Sequence, residues 1–192
     1  MMNQKILNPD GQSELKINYL NSYDEGRPSI LLIHGWGSSS GIWPQSTEKL
    51  ALLFNLLTVD LPGHGENAEL GFNSIDQFVG ELEACIPVKN FSIIGWSLGG
   101  IVGSLLAQRL EKRVIALVTV ATNQSFLVKP EWPFAMSIVD FSTFSDALSS
   151  ASLQSQINRF QVMQTQGIET AKHDCRRIRS LIDGIEFFDR RT

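Results

Sequence analysis

Histidine, cysteine and long apolar runs are all scarce in this sequence, and each scarcity narrows what the chain can be. Only three histidines occur among 192 residues, His34, His64 and His173, so any imidazole chemistry must fall on one of them. The two cysteines, Cys85 and Cys175, show no metal-binding spacing. A disulfide between them is open in principle, but two reduced, buried thiols in a cytosolic protein are the expectation. No apolar run approaches the roughly 18 residues of a membrane span. The opening stretch MMNQKILNPDGQSELK has no apolar core of leader length. Lys and Arg number 16 against 20 Asp and Glu, a net charge of −4, which speaks against a nucleic-acid partner. Any anionic partner would have to be met by a local basic patch.

What is present reads as globular. Hydrophobic residues make up 43% of the chain and charged residues 19%, enough apolar material for one domain with its own core and a small embedded subdomain. LKINYL (15–20) alternates, with Leu15, Ile17 and Tyr19 on one face, as a half-exposed strand does. SILLI (29–33) is continuously apolar, as in a strand buried on both faces. A helix is expected from Trp43 to about Phe54. LLTVDL (56–61) is a second buried strand, ended by the turn PGHG. Ser74 and Gln77 form a capping box before the apolar face Ile75, Phe78, Val79, Leu82 and Ile86, and Pro87 stops that helix. FSIIG (91–95) is a strand, 98–110 a helix and VIALVTVAT (114–122) another buried strand.

Apolar strands alternating with helices predict an α/β fold: a mostly parallel sheet with helices on both faces. After Thr122 the pattern changes. From about 136 to 186 only helical periodicity remains, with Leu153, Ile157 and Phe160 on one face and Ala171, Cys175, Ile178 and Ile182 on another. The expected organisation is a core over 1–122 and a helical cap over 123–192.

Two Gly-rich loops carry the chemistry. Gly95-Trp96-Ser97-Leu98-Gly99 matches G-x-S-x-G, follows an apolar strand and opens a helix, which is the context that a nucleophilic serine on a tight strand-to-helix turn requires. Glycines two before and two after keep that turn free of side chains. His34-Gly35-Trp36-Gly37 follows SILLI. An acyl-transfer site needs two backbone N–H donors for the tetrahedral oxygen; Leu98, just after the serine, and Trp36 are the candidates. The competing reading of HGWG is an ordinary Gly-rich turn. His34 is read as a brace for the loop rather than a general base, and His64 as a surface turn residue.

HGWG, DLPGHG, GWSLGG, VTVAT, EWP and RFQVMQTQGIETA together resemble the pimeloyl-acyl-carrier-protein methyl ester esterases of biotin synthesis, over about residues 29 to 185. The resemblance implies the α/β-hydrolase fold and an acyl-serine carboxylesterase without cofactor or metal. It implies that the substrate is the methyl ester of pimeloyl carried on acyl carrier protein. It marks Ser97 as nucleophile, Trp36 and Leu98 as oxyanion donors, and Trp36, Phe160, Gln161, Val162, Met163 and Gln164 as substrate contacts. It assigns Arg159, Lys172 and Arg176 to the acidic carrier protein. The residues alone leave that last point even: Lys172, Arg176 and Arg179 form a stripe beside the apolar face of a helix, but Glu169 and Asp183 sit at ion-pairing distance along it. A cytoplasmic monomer with no nucleic-acid or membrane partner is expected.

In this fold the triad runs Ser, then Asp or Glu, then His. The only histidine after Ser97 is His173, within the cap segment, so the last strands, the acid and the catalytic histidine are expected to be missing from this chain. Two expectations follow: a weak or inactive esterase, and a bare, aggregation-prone edge at VIALVTVAT. The alternatives are an esterase of the same fold acting on small free esters, and a non-catalytic remnant that binds an acyl-carrier partner.

Overall fold

A computed structural model describes residues 15–71 and 74–123, and beyond them 125, 127–130, 133, 135, 137–140 and 142. The described chain is built on one five-stranded sheet in the order β1-β3-β2-β4-β5. The strands are β1 (Ile17–Tyr19), β2 (Ser29–Ile33), β3 (Asn55–Val59), β4 (Phe91–Trp96) and β5 (Val114–Val120). β1 runs antiparallel to β3, and the other pairs are parallel.

β2 lies at the centre, and its apolar run is buried at every position. Its residues alternate between two cores, as a pleated strand covered on both faces must. Leu31 and Ile33 join Leu57, Val59 and Ile93 under α3 (Ile75–Cys85) and α4 (Leu98–Arg109). Ile30 and Leu32 join Leu56 and Trp43 on the opposite face. Each of the large side chains so enclosed contributes roughly 1.5–3 kcal/mol relative to exposure.

The segment expected to be one helix from Trp43 to Phe54 is instead two single turns, α1 (Trp43–Ser46) and α2 (Glu48–Ala51). Thr47 separates them, with its hydroxyl bonded to the carbonyl of Trp43 at 2.6 Å. A side chain that bonds its own turn in this way competes with continued helix. Leu50, Ala51 and Phe54 still pack against the core, so the apolar pattern reported burial correctly and helix length wrongly.

α3 matches its sequence signature. Ser74 accepts the N–H of Gln77 through its side chain at 3.1 Å, and Ile75, Phe78, Val79 and Leu82 are buried. Ile86 is the C-cap and is buried too. β5 does not match its signature. Its apolar run was read as buried, but every residue after Val114 is exposed, with Ile115 at 68% and Val118 at 50%. β5 pairs with β4 and with no other strand among the described residues, so it is the edge strand of the described sheet. The strand also ends at Val120, where Ala121 turns the chain with φ 48.

Cys85 is half-buried against the core rather than enclosed, and Cys175 lies outside the described residues. Residues 138–140 are helical, and Ser137 caps them by accepting the N–H of Asp140 at 3.1 Å. The remainder of the expected cap lies outside the described residues. Among the described residues, no helix is long and apolar enough to cross a membrane.

Candidate active site

The strand order places the two Gly-rich loops together. From β2 the chain moves to β3 on one side, and from β3 it crosses to β4 on the other side of β2. Such a reversal opens a crevice beyond the carboxyl ends of the adjacent parallel strands. β2 and β4 are in register there, Ile33 opposite Gly95, so the loop after β2 and the turn after β4 leave the sheet side by side. Their contact is tight: a β-carbon on Gly35 would lie 3.2 Å from Cβ of Ser97 and 3.0 Å from the Trp96 ring.

Ser97 occupies a strained turn. It is half-buried, with φ 52 and ψ −118, a conformation that non-glycine residues avoid. The turn is held from three directions. The Ser97 N–H donates to the carbonyl of Val120 at 2.8 Å, and the Ser97 carbonyl accepts the N–H of Gly100 at 2.9 Å and the hydroxyl of Thr122 at 3.2 Å. The flanking glycines answer to backbone crowding. A β-carbon on Gly95 would meet the Gly99 carbonyl at 2.4 Å, and one on Gly99 would meet the Ile33 carbonyl at 2.2 Å. Gly99 is thus required by the neighbouring strand as much as by the turn. Leu98, buried at the first position of α4, has a backbone N–H with no partner inside the helix.

The HGWG loop closes a four-residue turn in which Ser38 N–H reaches the Gly35 carbonyl at 3.3 Å. Gly37 takes φ +70 at the third position, where a type II turn needs a residue tolerant of the left-handed region. His34 is fully buried. Its Nδ1 lies 2.7 Å from the carbonyl of Gly35, and its Nε2 accepts the N–H of Leu61 at 2.9 Å. A carbonyl only accepts, so Nδ1 carries the proton and the ring is neutral. Burial pushes its pKa below the ordinary value, against the opposing pull of Asp60, 3.6 Å away, and of the Gly35 carbonyl. Asp60 fastens the same region: its carboxylate accepts the N–H groups of Ser40 at 2.6 Å and Glu66 at 2.9 Å.

Of the expected site residues, Ser97, Trp36 and Leu98 come together here, with His34 as the loop's brace. Phe160, Gln161, Val162, Met163, Gln164, Arg159, Lys172 and Arg176 lie outside the described residues. His64 needs correction. It is not a surface residue: it is fully buried, accepts the N–H of Gly37 through Nε2 at 3.0 Å, and has Nδ1 2.9 Å from the Pro62 carbonyl. Nothing local in PGHG signals this burial, which follows from the pairing of β3 with β2 that runs the two loops side by side.

A mostly parallel sheet with a strained serine at the end of one central strand and a Gly-rich loop at the end of its neighbour defines a known class. Residues 28–158 match the family model described as alpha/beta hydrolase fold, and the chain belongs to that family. It is similar to the pimeloyl-[acyl-carrier protein] methyl ester esterases of Salmonella heidelberg (strain SL476) and Salmonella agona (strain SL483). With each it shares 35% identity over 161 residues, 84% of this chain and 62% of the relative. The chain therefore spans less than two thirds of the length of those relatives. Among solved structures, its fold is shared by a hydrolase from Oleispira antarctica, with a TM-score of 0.71 at 16% identity over 92% of this chain and 70% of that one. An esterase from Exiguobacterium antarcticum gives a TM-score of 0.67 at 14% identity, over 89% and 69%.

Proposed function

We propose that the chain is a serine ester hydrolase acting on the methyl ester of pimeloyl-acyl carrier protein. The observation that carries this reading is the contact of the two loops, with the β-carbon position of Gly35 only 3.2 Å from Cβ of the strained Ser97. It supports a serine hydroxyl beside two backbone donors, the N–H groups of Trp36 and Leu98.

In this reading Ser97 Oγ attacks the ester carbonyl, and its proton passes through solvent to the departing methoxy oxygen. The carbonyl oxygen becomes an oxyanion held by Trp36 and Leu98, and the N-terminus of α4 favours that charge. Collapse breaks the bond to the methoxy oxygen, which leaves with a proton as methanol. Water then cleaves the acyl-serine ester, freeing the carboxylate and restoring Ser97. Among the described residues, no imidazole is suited to take the serine proton, because His34 and His64 both hold a backbone donor at Nε2 and lie beside a carbonyl at Nδ1. In the same reading Phe160–Gln164 contact the acyl chain, and Arg159, Lys172 and Arg176 meet the acidic carrier. The protein acts as a cytoplasmic monomer without a cofactor.

A fluorophosphonate probe tests the nucleophile: labelling at Ser97 that vanishes in Ser97→Ala supports the reading, and a wild type that does not label, or a Ser97→Ala variant that labels equally, overturns it. Charge reversal at Arg159, Lys172 and Arg176 tests the substrate. It should lower methanol release from the carrier-linked ester by about tenfold and spare a free short ester. An equal effect on both favours a small-ester hydrolase.

A further inference from the structure

The two buried histidines clasp each other's loops. His34, in the loop after β2, accepts a backbone N–H from Leu61 in the loop after β3 at 2.9 Å. His64, in the loop after β3, accepts a backbone N–H from Gly37 in the loop after β2 at 3.0 Å. Their rings lie 5.1 Å apart between centroids, and neither ring is exposed. Each Nδ1 faces a carbonyl, of Gly35 or of Pro62, so each ring is the neutral tautomer with its lone pair on Nε2.

We propose that His64 is a positioning residue for the loop carrying the Trp36 N–H, a role that rests on reading that loop as half of the oxyanion hole. The loop's turn is closed by the 3.3 Å bond from Ser38 to Gly35, and His64 reaches into it from the neighbouring loop. His64 holds the peptide next to Trp36. Donors aimed at a developing oxyanion act only if they are held in place beforehand. The position demands a neutral acceptor that fits a buried space. A phenyl ring would fill it and leave the Gly37 N–H without that acceptor. A protonated imidazole would set one N–H against another. Among the described residues, the titratable groups of these two loops are His34 across the clasp; Asp60 at the end of β3, bonded to Ser40 and Glu66; and the Glu66 carboxylate, which accepts Asn18 Nδ2 at 2.7 Å.

The test compares the full chain with His64→Gln, whose amide oxygen can replace Nε2 as acceptor, and His64→Phe, which cannot. Amide exchange at Gly37 reads the clasp, and fluorophosphonate labelling of Ser97 reads the site. His64→Gln should keep Gly37 protected and label within about threefold of the wild-type rate. His64→Phe should lose that protection, with kinact about tenfold lower and KI within about twofold, since the lost element acts in the transition state. Full protection and full rate in His64→Phe, or loss of both in His64→Gln, overturns the proposal. If His64→Phe does not fold, the wild type decides: a scalar coupling across the Gly37 N–H to His64 Nε2 bond is required, and its absence overturns the clasp. A wild type that never labels overturns the hydrolase reading on which the positioning role rests, while the coupling still reports whether the clasp exists.

Discussion

The hydroxyl oxygen of Thr122 stands 2.0 Å from where a β-carbon of Gly100 would be, and that same hydroxyl reaches the Ser97 carbonyl at 3.2 Å. The third glycine of the GWSLGG block thus makes room for a side chain arriving from the end of β5. Gly100→Ala should destabilise the fold by about 2 kcal/mol, and Thr122→Ala by about 1 kcal/mol. The double variant should recover part of the sum, because the two positions share one space. Urea midpoints of the four proteins measure the coupling, and simple additivity would refute it.

Ser97 holds a conformation that favours glycine, with φ 52. Ser97→Gly should relieve strain and raise stability by about 1 kcal/mol, while Ser97→Ala should leave it within about 0.5 kcal/mol. Both should abolish fluorophosphonate labelling. Equal stability of the Gly and Ala variants would show that the turn is not strained.

His34 makes stability depend on pH in the acid direction. Its folded pKa is lowered by burial from the ordinary 6.5. Above 6.5 the ring is neutral in both states and contributes no pH dependence. As the pH falls below 6.5, unfolded chains bind the proton first, and stability is lost until the folded ring also protonates. Urea midpoints taken downward from pH 7.5 should fall, and His34→Gln, which keeps an acceptor for Leu61, should flatten that decline.

Ser74 caps α3 through the N–H of Gln77 at 3.1 Å. Ser74→Ala should cost about 1 kcal/mol, and Ser74→Asp, also a good cap, should restore it. Thermal unfolding of the three proteins checks the order.

The exposed face and edge of β5 make it the expected site of self-association. Lys at Ile115 and Val118, which are 68% and 50% exposed, should raise the soluble fraction and change stability by no more than about 0.5 kcal/mol. A large loss of stability would mean that β5 is covered in solution.

Much of this was legible from local pattern. Continuous apolar runs placed β2 and β3, and a cap residue with its apolar face placed α3. Glycines around Ser97, between a strand and a helix, located the turn. These signals are short-range, because periodicity, capping and turn sterics act within a few residues. Other features depended on residues distant in sequence. Apolar composition could not tell a covered strand from β5, since coverage depends on neighbours. The break between α1 and α2 is local, the Thr47 hydroxyl bonding the Trp43 carbonyl one turn back, but apolar spacing carries no trace of a side-chain bond.

The sequence by itself determined an α/β sheet and a serine on a tight, glycine-flanked turn, because those demands are written in adjacent residues. Only the tertiary structure decided that His64 is buried and joined to Gly37, and that Gly99 yields to the Ile33 carbonyl. Both follow from the order of strands, which brings two distant loops to one end of the sheet.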